Sequence, residues 1–131
     1  MNFYQKKLKV VWKRLYSNQQ QVDTAISIRN YIETNSDTDL KLDYLSKTQL
    51  VSKFHLIRLF KKYYGLTPHQ YLIDVRIENA KSLLAGGKTV TETCFEVGFE
   101  SLGSFSTLFK RKTGKTPVQF QKSNFREVQI Q

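Results

Sequence analysis

Two stretches of this chain carry cations and no compensating acid. From Ser52 to Tyr64, in "SKFHLIRLFKKYY", stand Lys53, Arg58, Lys61 and Lys62; from Ser101 to Lys115, in "SLGSFSTLFKRKTGK", stand Lys110, Arg111, Lys112 and Lys115. Lysine ammonium groups meet phosphate as point charges, and a guanidinium can present two parallel N–H donors to one planar acceptor. The chemistry on offer is recognition of a polyanion, with direct reading of bases where an arginine reaches them. The acids cluster elsewhere, at Asp37, Asp39 and Asp43 and at Glu92, Glu96 and Glu100. Over its 131 residues the chain has 21 Lys and Arg against 11 Asp and Glu, a formal net charge of +10. An excess of that size favours nucleic acid first and anionic membrane second.

Other chemistries find little support. His55, His69 and Cys94 are widely separated and match no zinc spacing. No Gly-rich phosphate loop, nucleophile elbow or nucleophile–base pairing appears, and Gly86-Gly87 reads as a helix stop. An enzyme, a cofactor and a metal are therefore not expected. Apolar runs extend only a few residues, far short of the roughly 20 that cross a bilayer. Lys6, Lys7 and Lys9 are followed by Trp12-Lys13-Arg14 rather than by the apolar stretch of a signal peptide. The single cysteine fits a reducing compartment. These features predict a soluble, cytoplasmic protein without membrane contact.

The elements that must position the cations are helical. Tyr4, Leu8, Val11, Trp12 and Leu15 form one stripe over residues 3–17, and "SNQQQ" at 17–21 is expected to be a polar hinge. A second helical pattern runs from Val22 through Ile26, Ile28, Tyr31 and Ile32 and stops at "TNSDTD"; a short helix follows over Leu42–Thr48. Ser52 can cap a helix whose inward stripe is Leu56, Leu59, Phe60 and Tyr63, leaving Phe54, Ile57, Arg58, Lys61 and Lys62 opposite. Gly65 ends it, and Thr67-Pro68 restarts a long helix with Ile73, Ile77, Ala80 and Leu84 inward. A short helix over Val90–Val97 leads through Gly98 to Ser101, and Phe105, Leu108 and Phe109 repeat the stripe before Gly114 and Thr116-Pro117.

The chain thus writes one sentence twice. At an offset of 49 residues Leu45 pairs with Cys94, Ser52 with Ser101, Leu56 with Phe105, Leu59 with Leu108, Phe60 with Phe109, Gly65 with Gly114 and Pro68 with Pro117. Each repeat is a short helix, a tight turn and a longer helix with an outward basic face, the arrangement of a helix-turn-helix. The predicted fold is all-α: an N-terminal basic amphipathic helix (1–21), a first helix-turn-helix subdomain (22–66), a linker helix (67–87), a second helix-turn-helix subdomain (88–123) and a C-terminal tail (124–131). A linker of about 25 Å at ~1.5 Å per residue could bring two recognition helices near the ~34 Å spacing of successive major grooves, with DNA bending to meet any shortfall.

From about Val22 to Lys122 the chain resembles the DNA-binding domain of the AraC/XylS family of bacterial transcription activators. The resemblance rests on "LSKTQLVSKFHLIRLFKKYYGLTPHQYLIDVRIENAKSLL" and "TVTETCFEVGFESLGSFSTLFKRKTGKTPVQF". It implies seven helices in two helix-turn-helix subdomains, binding of promoter double-stranded DNA, recruitment of RNA polymerase, and a nucleoid-associated location. Carried over, the first recognition helix is Lys53–Tyr64, with Lys53, Phe54, Ile57, Arg58 and Lys61 facing the groove. Arg58 is the candidate guanine reader, Phe54 and Ile57 suit thymine methyls, and Lys53, Lys61 and Lys62 suit phosphates. The second is Leu102–Lys112, where Leu102, Gly103, Ser104 and Thr107 hold the reading positions and Lys110 and Arg111 suit the backbone. Ser52 and Ser101 complete the candidate set.

Two departures qualify the likeness. Thr107 stands where the first repeat has Arg58 and where the family often has arginine, which predicts that the first repeat discriminates while the second holds on. "TQLVS" lacks the glycine usual in the first turn, so either the turn closes by another geometry or Gln49 or Leu50 carries strain.

Residues 1–21 lie outside the likeness and carry five basic residues and no acid. They are expected to pack on the DNA-binding domain through Trp12 and Leu15 or to form a short homodimer helix, with membrane contact and the last helix of a lost or separate effector domain as the other readings. No ligand-binding barrel fits in 131 residues, so small-molecule induction within the chain is not expected. The competing functional class is a protein-interaction module with only non-specific DNA affinity.

Overall fold

The computed structural model describes residues 2–130; residues 1 and 131, to which the expected N-terminal segment and C-terminal tail extend, lie outside the described residues. The helices are α1 (Phe3–Thr34), α2 (Leu42–Thr48), α3 (Lys53–Tyr64), α4 (Pro68–Ala85), α5 (Val90–Glu96), α6 (Leu102–Thr113) and α7 (Pro117–Ile130). Among the described residues there is no strand, in keeping with the all-α expectation. Two compact units divide the chain: Met1–Ile32 with Lys41–Pro68, and Glu33–Leu40 with His69–Gln131.

In the first unit, α1 runs unbroken through the expected hinge. Ser and Asn cost a helix only a few tenths of a kcal/mol each, the glutamines favour it, and no Gly or Pro interrupts the stretch. Ala25, Ile28 and Ile32, spaced three and four apart, are its buried residues. Residues 2–20 are all exposed. The expected packing of Trp12 and Leu15 onto the domain is therefore corrected: they are 69% and 56% exposed. Leu45 of α2, Leu56, Leu59 and Phe60 of α3 and Pro68 at the start of α4 are also buried in this unit. At the far end of α3, Gln21 Oε1 accepts hydrogen bonds from Lys62 Nζ at 3.2 Å and Tyr63 OH at 3.3 Å. The Arg29 guanidinium lies 5.7 Å from the Tyr64 ring centre.

In the second unit, Ile73, Ile77, Ala80 and Leu84 of α4 join Cys94, Val97, Phe99, Phe105 and Phe109 in one core cluster. The helix expected as a linker is thus also a core element of this unit. Phe99, Phe105, Phe109 and Phe120 form a chain of ring contacts 5.2–5.7 Å apart. Gln121 Nε2 donates to Leu84 O at 3.0 Å and Lys88 O at 2.7 Å, closing carbonyls at the end of α4. The expected tail is corrected through residue 130, because α7 continues: nothing after Pro117 stops a helix. Burial pushes the Cys94 thiol up, which keeps it protonated and unreactive.

The two turns reveal a shift in the repeat. Val51 N–H bonds Ser46 O at 3.0 Å and Leu50 N–H bonds Lys47 O at 3.3 Å; Phe99 N–H bonds Cys94 O and Gly98 N–H bonds Phe95 O in the same pattern. Within the turns the offset is 48, so Leu45 corresponds to Thr93 rather than to Cys94, and Leu50 to Gly98. The offset returns to 49 at the capping serines because Glu100 adds one residue to the second turn. Leu50 has φ 55, the left-handed conformation that glycine adopts at Gly98 with φ 112. The strain anticipated for Gln49 or Leu50 falls on Leu50. At 91% exposure the leucine meets no steric obstacle there, only the backbone cost. Gly98 has no such latitude: a Cβ would lie 2.9 Å from Arg76 Nε and 2.9 Å from Ser36 O.

Leu50→Gly is expected to stabilise the chain by up to about 1 kcal/mol, and Gly98→Ala to destabilise it by more than about 2 kcal/mol. Thr93, fully buried with Oγ1 unpartnered among the described residues, should tolerate Thr93→Val with a gain rather than a loss. Urea unfolding midpoints read all three.

Candidate nucleic-acid interface

Both recognition helices are built by one device. Ser52 Oγ accepts from His55 N–H at 3.1 Å to start α3, and Gly65, at φ 78, donates its N–H to Lys61 O to end it. Ser101 Oγ accepts from Ser104 N–H at 3.2 Å to start α6, and Gly114, at φ 81, donates to Lys110 O. The serine oxygens satisfy backbone donors that a helix start leaves open, and left-handed glycines close the carbonyl ends. With the ends fixed and one face buried, each helix presents its remaining face at a set angle within its own unit.

On α3 the exposed face divides into paired and unpaired cations. Lys53 Nζ sits 3.0 Å from Asp43 Oδ1, an exposed pair between the start of α3 and α2. Lys62, bonded to Gln21, lies 5.3 Å from the Tyr63 ring centre. Arg58 and Lys61 are exposed and have no carboxylate partner among the described residues. Phe54 projects into solvent, 78% exposed, and Ile57 is half-buried. Phe54 is thus not a core aromatic.

On α6, Leu102, Gly103, Ser104 and Thr107 are all exposed. Gly103 occupies the position of Phe54, and a Cβ added there would meet nothing within 4 Å. That position is bare on α6 where it is bulky on α3. Lys110 and Arg111 are exposed without carboxylate partners among the described residues, whereas Lys112 pairs with Asp74 at 2.9 Å. The structure therefore gathers Phe54, Ile57, Arg58 and Lys61 on one outward face and Ser104, Thr107, Lys110 and Arg111 on another. It diverts Lys53 and Lys62 to neighbours in their own unit.

One supporting residue escaped the sequence reading. Arg76, buried in α4, donates from Nε to Ser36 O at 2.7 Å and from Nη2 to Thr38 O at 2.8 Å, and its guanidinium lies 5.5 Å from the Phe99 ring centre. Burial pushes its pKa down, opposed by the charges of Asp39, Asp37 and Glu100. The planar fork holds two backbone carbonyls and backs the Gly98 turn that leads into α6. A signal was present: position 76 adjoins Ile77 on the stripe of Ile73 and Ala80, where a cation must find buried acceptors.

Two compact units, each with a short helix, a left-handed turn and a capped basic helix, define a helix-turn-helix protein. A family model described as a helix-turn-helix domain matches residues 45–123. The chain is 41% identical, over 93 residues, to an uncharacterised HTH-type transcriptional regulator in the cgkA 5′ region of Pseudoalteromonas carrageenovora, covering 71% of this chain and 55% of that protein. It is 37% identical, over 95 residues, to the bifunctional transcriptional activator/DNA repair enzyme AdaA of Bacillus subtilis, covering 72% and 45%. The C-terminal domain of the two-component response regulator yesN of Fusobacterium nucleatum superposes with a TM-score of 0.66 at 35% identity, covering 72% of this chain and 93% of that one.

The chain belongs to the AraC-type helix-turn-helix family and is a transcription-regulator DNA-binding domain. It spans about half the length of the curated relatives it matches. Those relatives are named as transcription regulators, and the enzyme in AdaA's name is said of that protein alone. No described helix is long and apolar enough to cross a membrane.

Arg76→Ala should destabilise the fold by about 2–4 kcal/mol, because it strips the buried Ser36 carbonyl and the part-buried Thr38 carbonyl of their donor and opens a cavity. Arg76→Lys should recover only part of that loss, since an ammonium cannot span both acceptors. Thermal unfolding of the two variants measures the difference.

Proposed function

We propose that the chain recognises a specific duplex sequence at a promoter, inserting α3 and α6 into successive major grooves, and that it activates transcription there through contact with RNA polymerase. One observation carries the reading: each unit keeps an outward helix face whose cations have no carboxylate partner among the described residues, Arg58 and Lys61 on α3 and Lys110 and Arg111 on α6. A surface that only docks protein partners has no use for two such faces. Activation rests on the family resemblance and on the name of one relative, AdaA, as a transcriptional activator.

The two faces divide the work. Arg58 can donate two hydrogen bonds to guanine, and Phe54, held in solvent by the capped start of α3, can cover a thymine methyl. On α6 only the Ser104 and Thr107 hydroxyls can bond a base edge, and a hydroxyl both donates and accepts, so it discriminates weakly. Lys110 and Arg111 anchor to phosphate and fix register without reading sequence. The Lys53–Asp43 pair is exposed and weak, so phosphate can capture Lys53 from it. Lys62 has two neighbours to give up and is the poorer phosphate contact.

Selection of duplexes by the purified chain, followed by footprinting, tests this reading. A selected site should win over random duplex by about a thousandfold, and affinity should fall by roughly 10³ or more between 50 and 200 mM salt if six or more phosphates are met. Arg58→Ala should cost about 1–3 kcal/mol on the selected site and relax preference at one position. Lys61→Ala and Lys110→Ala should weaken all duplexes alike and lower the salt slope by about 0.9 each. Should Thr107→Ala change sequence preference more than Arg58→Ala does, the roles of α3 and α6 are reversed; equal affinity for every duplex leaves only the interaction module. Transcription by purified polymerase from a promoter carrying the selected site tests activation.

A further inference from the structure

Building on the reading of duplex DNA by α6, we propose that Gly103 is a specificity-determining residue. It leaves a notch in the helix that admits the 5-methyl group of one thymine in the half-site that α6 meets.

Nothing in the fold calls for this glycine. Gly65, Gly87, Gly98 and Gly114 adopt positive φ, whereas Gly103 is the second residue of α6 and helical. A Cβ built there meets no atom within 4 Å, so no neighbour in the chain forbids a side chain. Replacing a glycine of compatible backbone by alanine stabilises a fold, chiefly by restricting the unfolded chain. The empty position therefore costs the fold a little and returns nothing within the chain. Its space opens outward, on the face proposed to meet DNA.

The surroundings of the notch select what fills it. Thr107 follows Gly103 by four residues and Lys110 by seven, so the three share one exposed stripe of the helix. Cations stand only at the trailing end of that stripe. Leu102, Ser104 and Thr107, around the notch, carry no charge, and Ser101 Oγ already accepts the Ser104 N–H. Phosphate is drawn to Lys110 and Arg111, which leaves the uncharged leading end for base edges, the groups that recognition helices meet with their first residues. Among those edges in the major groove the thymine methyl is the apolar projection. The Gly103 Cα offers it a floor, and Thr107 and the 40% exposed Leu102 have methyl groups to set beside it. The first repeat carries Phe54 at this position, 78% exposed. There a ring reaches out to cover a methyl; here the methyl reaches in.

This fit predicts an exchange. Only one methyl can occupy the notch, so removing it from the DNA and adding it to the protein should offset one another. The test takes duplexes selected by the whole chain and identifies the α6 half as the one whose footprint Lys110→Ala weakens. Each thymine in that half is replaced in turn by deoxyuridine, which keeps every hydrogen bond and lacks only the methyl. At one position the unaltered chain should lose about fourfold in affinity, the worth of one buried methyl. Gly103→Ala should bind the thymine duplex about tenfold more weakly, yet bind the deoxyuridine duplex as well as the unaltered chain does. In urea its folding equilibrium should improve about two- to fivefold. Gain in stability with loss of affinity separates this role from a structural one.

A selected site with no thymine in that half, or no thymine sensitive to deoxyuridine, would overturn the proposal and leave sequence reading by the chain intact. So would Gly103→Ala binding both duplexes as the unaltered chain does. Equal loss by Gly103→Ala on both would also overturn it, assigning the space to close approach of the DNA backbone. If no duplex is preferred over random sequence, base reading itself falls and the thymine assignment falls with it.

Discussion

A twelve-residue helix is marginal in water on its own, and α3 and α6 are each twelve residues long. Each must nevertheless leave a whole face uncovered if it is to enter a groove. The conflict is resolved by concentrating every stabilising contact on the other face and at the two ends. Leu56, Leu59 and Phe60 hold α3, Phe105 and Phe109 hold α6, and a serine oxygen and a left-handed glycine close the termini of both. The outward faces are left free to vary, and Phe54 remains in solvent on one helix while Gly103 leaves the same position empty on the other.

The two units resolve the same conflict with different contacts. The second is braced by the Arg76 fork, the Gln121 clamp, the Lys112–Asp74 pair and a run of four aromatic rings. Its turn has the glycine that the backbone demands. The first unit is held by the Lys53–Asp43 pair, the Gln21 contacts, the Arg29–Tyr64 contact and the Tyr31–Tyr44 and Phe60–Tyr64 rings, and it accepts a leucine at φ 55 in the corresponding turn. Arg58 and Phe54, the proposed base readers, lie on the unit with the strained turn, and the outward face of α6 offers mainly cations and small hydroxyls.

Much of this was legible in the residues because the signals were local. Ser52 and Ser101, Gly65 and Gly114, and Pro68 and Pro117 each mark a helix end for a reason confined to a few neighbouring backbone atoms, and the structure places helix ends at all of them. The basic faces were legible because burial of Leu56, Phe60, Phe105 and Phe109 leaves only one direction for their neighbours. What escaped depends on contacts distant in sequence or on weak preferences. The diversion of Lys62 to Gln21 joins residues 41 apart. The role of Arg76 requires Ser36 and Thr38 some 40 residues earlier. The hinge expected at "SNQQQ" failed because polarity marks a surface, not a break: a helix can be polar all round where nothing packs against it. The one-residue slip that sets Leu50 against Gly98 was hidden because the capping serines keep the offset of 49 on its far side.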